Sequence, residues 1–444
     1  MTQAELHHLY SRASFGLPLN KLPSLKGKSR LEVVNQLFQN SQNSTRFDLD
    51  LTDFYNDANQ ISMRNKKDLV ALIKKSKKKF LDLNNQWLDG IMTNPEELRE
   101  RMTLFWANHF VCKDNNVYHM QLYLNCLKTH ALGDFRDFIN AVSKQASLLK
   151  YLNGKQNRKK SPNENFTREL MELFTLGEGH YTERDIKESA RAFTGYNHNF
   201  KGDFVFRRFH HDSGRKSFLG QSGYYNGEDI IDIILQEKQC AHYICTKLYT
   251  YFVNPVANEA HITQMALRFY KDYDIAQLMH FVFMQDWFYE KENMGAKIKS
   301  PVDLLASAHR IVPYEFNDKK TFIKLEKLLG QSLLDPPNVA GWPGDKAWID
   351  TNTLMIRLKL PSLIYGVNLQ DGAKAGGLRG RRNPIAAKVD LPSFESQFAK
   401  YSSNQISELV IPGPHSSSLE TLIDSNSKIL TVVRLMSLPE FQMA

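Results

Sequence analysis

SPNENFTRELMELFTLGEGHYTERDIKESARAFTG (Ser161–Gly195) reads as two helices in succession, and it sets the class of the fold. Pro162 discourages helix before it, and Gly177 suits the left-handed position that ends one. The first helix is therefore placed at Glu164–Leu176. In the second, Thr182 and Asp185 form a capping box, Glu183 lies at the positive end of the helix dipole, and Gly195 closes the segment. At helical spacing Arg168, Glu169 and Glu172 fall within about 60° of Asn165, while Phe166, Leu170, Leu173 and Phe174 occupy another arc. The second helix sorts in the same way, with Arg184, Lys187, Glu188 and Arg191 opposite Ile186, Ala190 and Phe193. The short connection predicts that the two helices pack together.

The same periodicity runs outward through most of the 444 residues. Asn94 and Pro95 suit the cap and first position of a helix whose apolar stripe is Leu98, Met102 and Phe105, and His109 falls next on that stripe. Asp134 is placed as the cap of a further helix. Short aromatic-rich runs around Ser213-Gly214 predict a small β-hairpin near residues 203–220. The expected architecture is mainly α: one large irregular multi-helix domain over 1–370 carrying the hairpin insert, a long loop or semi-ordered excursion over 371–417, and a C-terminal helix over 418–444 that packs back.

Composition narrows the function. With 42% hydrophobic and 24% charged residues the chain reads as globular and soluble, and no apolar run is long enough for a membrane span. The N-terminus lacks a basic region followed by an apolar one. The sequence therefore reads as cytoplasmic as it stands, or as exported if an upstream signal has been removed. The four cysteines form no CxxC pair and read as reduced core thiols. The net charge of +9 is concentrated at 73–80, 155–160 and 379–384, which suits solvated faces or an acidic partner such as an anionic glycan. Nucleic acid is disfavoured, because no nucleic-acid motif is present and aromatics do not interleave with the basic runs. Phosphate loops, dinucleotide fingerprints and nucleophile elbows are absent.

Three clusters could carry chemistry. Glu169 and Glu172, with Arg168 and the ring of His109, suit acid/base work if one carboxyl is held protonated beside Phe166 and Phe174 while the other stays ionised. Asn163, Glu164, Asn165 and Arg191 would then orient a substrate or water. The competing reading is an ion-pair network, with Arg168 and Arg191 saturating the glutamates. Trp342 and Trp348, in a Pro/Gly-framed loop, either stack on sugars or plug the core. His210, His211 and Asp212 have the chemistry of a divalent-metal site, although neighbouring strand residues point to opposite faces. No cofactor is expected beyond such a metal.

Eight stretches carry a family resemblance: LYSRASFG (Leu9–Gly16), ERMTLFWANHF (Glu100–Phe110), PNENFTRELMELFTLG (Pro162–Gly177), YTERDIKESARAFTGY (Tyr181–Tyr196), HDSGRKSFLG (His211–Gly220), KSPVDLL (Lys299–Leu305), PPNVAGWPGDKAWIDTNTLMIR (Pro336–Arg357) and SLPEFQ (Ser437–Gln442). In this order, across nearly the whole chain, they resemble the bacterial "domain of unknown function 1800" family. The resemblance implies no established activity. It does imply a partner, since members are often encoded beside a sulfatase-like family of the alkaline-phosphatase fold. The leading expectation is a hydrolase or transferase acting on a glycan or similar polar polymer by carboxylate acid/base chemistry. The alternatives are a non-catalytic partner of a sulfatase-like protein and a metal-dependent enzyme using the His-His-Asp segment.

Overall fold

The helix Glu97–His109 is buried on every side, with only Asn108 partly open to solvent. Its apolar residues Leu98, Met102, Phe105 and Trp106 meet neighbours all round, so the narrow stripe expected from spacing is in fact a full circumference. Its charges are buried too, and each finds a partner distant in sequence. Glu97 pairs with Arg310 and, at 2.8 Å, with Lys21. Lys128, from the helix Val117–His130, lies between Glu100 (2.5 Å) and Glu96 (3.1 Å). Arg99 donates to the carbonyls of Ser41 (2.9 Å) and Lys128 (2.8 Å). This helix begins two residues later than the sequence predicts. Glu96, not Asn94, occupies the cap position, and the Asn94 amide donates instead to the Glu100 carboxylate.

The computed structural model describes residues 1–52, 54, 66–199, 201–367, 385–411 and 427–444. Among them are twenty α-helices and three two-stranded antiparallel sheets, a mainly α architecture with small hairpins. None of these helices is long and apolar enough to cross a membrane. The expected caps at Asp134 and Thr182 are present, the latter as a reciprocal box with Asp185. One hydrophobic core runs through the described residues from Leu6 to Phe441. Cys112, Cys240 and Cys245 are buried within it, and none of the four cysteines is paired.

The insert is two hairpins rather than one. β1 (Tyr196–His198) pairs with β2 (Phe204–Phe206), and β3 (Lys216–Phe218) with β4 (Gln221–Gly223). Leu219 and Gly220, both at positive φ (44° and 78°), turn β3 into β4, as a tight two-residue connection requires. Ser213-Gly214 is not a hairpin tip: the Asp212 carboxylate accepts from the Gly214 N–H (2.8 Å) and closes a local turn before β3. The third sheet joins β5 (Tyr314–Phe316) to β6 (Ala387–Val389).

Within the stretch expected to be loop, the described part, 385–411, contains β6 and the eight-residue helices Leu391–Phe398 and Ser403–Val410. These helices are too short for periodicity to reveal, but they are capped by Asp390 and Ser402 and anchored by Phe394, Phe398, Ile406 and Leu409. The basic run 379–384 and the start of the C-terminal segment, 418–426, lie outside the described residues. The segment's described part contains the helix Lys428–Met436.

Burial pushes the Glu100 carboxyl upward, and Lys128 opposes this. Replacing Lys128 with Met strands Glu96 and Glu100 in the interior. Denaturant unfolding should show a loss of about 3–5 kcal/mol, the range for breaking a buried pair from one side. The double variant Lys128→Met, Glu100→Gln should recover part of it.

Candidate functional site

The helix starting at Asn165 changes character halfway. It is α-helical over Asn165–Glu169 and a π-helix over Leu170–Thr175, so the sequence placed the segment correctly but not its winding. Leu176 and Gly177 both donate back to the Met171 carbonyl (2.8 and 3.0 Å). Wider winding frees carbonyls, and side chains of the turn itself and of other elements take them. Thr175 Oγ1 donates to Leu170 (2.6 Å), Tyr243 Oη to Leu173 (3.0 Å), His109 Nε2 to Phe174 (3.0 Å) and Gln239 Nε2 to Leu176 (2.9 Å). Gly177 sits at φ +83°, and a Cβ there would lie 2.9 Å from the Tyr243 ring. Both the turn and the close approach require glycine. π-Turns inside helices are uncommon and often mark functional sites.

The expected Arg–Glu saturation is absent. Arg168 forms a two-pronged pair with Glu183 (2.9 and 3.0 Å) and reaches Glu164 at 3.4 Å. The inter-helix ion pair takes its guanidinium from the first helix and its carboxylate from the second. Arg191 is held by Glu188 (3.0 Å) and Asp212 (2.7 Å). Glu188 in turn accepts from the Ser217 N–H and Asp185 from the Leu219 N–H, both at 2.8 Å. Glu183 is thus used to join the two helices, and Arg191, Glu188 and Asp185 fasten the second helix to β3 and its turn.

This leaves the two central glutamates in different settings. Among the described residues Glu169 has no hydrogen-bond or ion-pair partner. Its carboxyl is shifted upward, first by burial and then by the charge of Glu172, with Arg168 opposing. Glu172 accepts a hydrogen bond from Tyr181 Oη (3.1 Å), and the Tyr181 phenol is pushed up to about 12, first by burial and then by that bond. Asn163 accepts from the Asn165 N–H (3.2 Å) and donates its own N–H to Asn157 (2.9 Å). Asn157 is buried and also bonds the Ala190 carbonyl (2.8 Å), tying the entry of the first helix to the end of the second.

The other candidates are placed elsewhere. His109 is buried with Phe105, Trp106, Phe110 and Phe174 around it. Burial, then Lys247, holds its ring well below the ordinary histidine range. No hydrogen bond joins it to Glu169 or Glu172, so it supports the π-turn as a neutral donor rather than shuttling protons. Trp342 and Trp348 are 6% and 5% exposed and fill the core. The Trp342 backbone N–H and Nε1 donate to Asn108 (2.6 Å) and the Ser332 carbonyl (3.0 Å). His211 Nδ1 faces the Thr194 carbonyl at 2.9 Å, His210 ends a short 3-10 turn, and Asp212 is engaged with Arg191. Among the described residues no group of three or more His, Cys, Asp and Glu is placed to hold a metal ion.

Tyr181, Tyr243, Gln239 and Asn157 escape sequence reading. Tyr243 and Gln239 lie more than sixty residues from the carbonyls they serve, and nothing local marks them. Tyr181 had a weak signal, as the first aromatic after the glycines that end the helix.

These elements define a large irregular helical protein with a π-wound helix carrying Glu172. The chain belongs to the family described as "Protein of unknown function (DUF1800)", whose model matches residues 8–443. No curated protein and no solved structure matches it.

Because the Glu169 carboxyl binds its proton more tightly folded than unfolded, its contribution is present at low pH and is lost as pH rises through the ordinary glutamate range to the folded value. Glu169→Gln should therefore be more stable than the parent at pH 7 and equal to it near pH 3. Unfolding midpoints at the two pH values test this, and equal differences at both would show an unshifted carboxyl.

Proposed function

We propose that the protein is a hydrolase or transferase acting on a glycan or similar polar polymer, with Glu169 and Glu172 as its acid/base pair. The observation that carries this reading is the unlike environment of two carboxyls three residues apart. Glu169 is half-buried, unpaired and shifted toward its protonated form, whereas Glu172 is steadied by the Tyr181 hydroxyl. A carboxyl shifted toward its protonated form is suited to act as an acid. In this scheme Glu169 gives its proton to the departing oxygen as the bond to it breaks. Glu172 takes a proton from the attacking water or hydroxyl as the new bond forms. Arg168 and Arg191 are engaged with Glu183 and Asp212, so neither neutralises the pair. A purely structural network would have used them for that.

The test is release of reducing ends or transfer products from a panel of neutral and anionic polysaccharides. Glu169→Gln should lower turnover about 10²–10⁴-fold, the usual worth of a positioned acid, with Glu172→Gln lowering it comparably. Arg191→Lys, away from the pair, should keep most of it. Turnover unchanged in both glutamate variants, or no turnover by the parent on any polymer, would reject the assignment.

A further inference from the structure

A cavity of about 640 Å³ lies far along the chain from Glu169, between the helices Gln3–Ala13, Glu97–His109 and Pro301–Ile311 and the C-terminal residues. Its volume is in the range of small-molecule sites, ~300–1,000 Å³. Three stretches noted in the sequence meet there and have no part in the Glu169 site: Ser11, Phe15 and Gly16 from LYSRASFG, Lys299 and Asp303 from KSPVDLL, and Glu440 and Phe441 from SLPEFQ.

Most of the wall is apolar, with Leu17, Met294, Ile311, Leu409, Ile411 and Met443 among its residues. The polar wall is basic. It contains Lys299, Arg101 and Lys291 against the acidic side chains Asp303 and Glu440, while burial holds His7 and His8 neutral, down to about 4 and about 3. Asp303 is already used: it pairs with Arg101 at 2.6 Å and caps its own helix through the Ser300 N–H at 3.1 Å. Arg101 also donates to the Ser14 carbonyl (2.7 Å) and lies over the Phe15 ring at 4.0 Å. Lys299 Nζ donates one hydrogen bond, to the Phe441 carbonyl (2.8 Å). The ammonium also lies over the Phe441 ring at 3.8 Å, and among the described residues no second acceptor takes its remaining protons.

Further cations stand behind the wall. Arg12 donates to the Asn293 carbonyl (2.9 Å), Lys297 to Thr250 (2.6 Å) and Arg357 to Lys299 (2.6 Å). Asp345 also lies near them and accepts from the Ile298 N–H (3.0 Å), and the Ala444 main-chain oxygen accepts from the Lys297 N–H (3.4 Å). Arg12 Nε and Arg357 Nη1, behind the wall, are buried donors without partners among the described residues. Such atoms are rare and costly in a settled interior. Desolvation holds Lys299 and Lys297 down near 7, because burial disfavours the charged ammonium.

We propose that this cavity binds an amphiphilic monocarboxylate of the fatty-acid class, its carboxylate at Lys299 and its chain along the apolar wall. Charge decides against a neutral lipid, and the apolar wall decides against a small hydrophilic anion. Calorimetric titration of the full chain with dodecanoate, below its micelle concentration, tests it. Dodecanol supplies the tail without the charge, and acetate and inorganic phosphate supply charge without the tail. Saturable one-to-one binding of dodecanoate, at least tenfold tighter than dodecanol, with no heat from acetate or phosphate, is expected.

Lys299→Met should weaken dodecanoate at least tenfold and leave dodecanol unchanged. Two variants at exposed positions guard against misfolding. Ala4→Phe, at the wall's exposed residue on the first helix, should block entry. Glu440→Gln, which removes a competing carboxylate, should tighten binding about two- to threefold. Equal affinity for dodecanol, equal binding of acetate or phosphate, no binding at all, or binding indifferent to both Lys299→Met and Ala4→Phe would each overturn the proposal.

Discussion

A helix buried on all sides has to find partners for its own charges, and the rest of this structure is arranged around that requirement. Glu96, Glu97, Arg99, Glu100 and Arg101 lie at the N-terminal end of one helix, and all are buried. Charges taken out of water are tolerated only when paired and hydrogen-bonded. Lys21, Lys128 and Arg310 bring countercharges from three other elements, and Asp303 brings a fourth to Arg101. Removing Lys128 or Asp303 leaves a charge stranded, and the N-terminal segment, the neighbouring helix and the helix Pro301–Ile311 are fixed relative to one another by the same few ions.

The other end of that helix sets the candidate site. The His109 ring is buried and held well below the ordinary histidine range. It donates to Phe174 and so helps hold a π-turn that would otherwise leave carbonyls unsatisfied. Tyr243 and Gln239 do the same from a second helix. The wider winding and its supports lie immediately after Glu169, and Arg168 is drawn outward to Glu183. Glu169 is left unpaired because its neighbours are committed elsewhere.

Local signals served well where the determinant is local. The helical class, the caps at Asp134 and Thr182 and the glycine stop at Gly177 all follow from residues within a turn of one another. The insert was found in the right place, but its register was not: positive φ at Leu219 and the Asp212 turn depend on contacts with the helix Glu183–Ala192. The helix Glu97–His109 was seen as amphipathic because periodicity registers apolar residues and cannot foresee that a Glu, an Arg and a Lys from distant segments neutralise one another inside. Trp342 and Trp348 show the same limit, since a tryptophan in a Pro/Gly loop has one composition whether it faces solvent or core.

The sequence by itself determined the mainly helical class, the position of the two-helix segment, the sorted stripe of Asn165, Arg168, Glu169 and Glu172, and the family. All of these rest on spacing along the chain. Only the tertiary structure decided which charges meet. It sent Arg168 to Glu183 and Arg191 to Asp212, left Glu169 without a partner among the described residues, set the His109 ring against the Phe174 carbonyl and gathered Arg101, Lys291 and Lys299 around one cavity. Ion pairing and desolvation act through space between residues tens to hundreds of positions apart, and spacing along the chain carries no record of those distances.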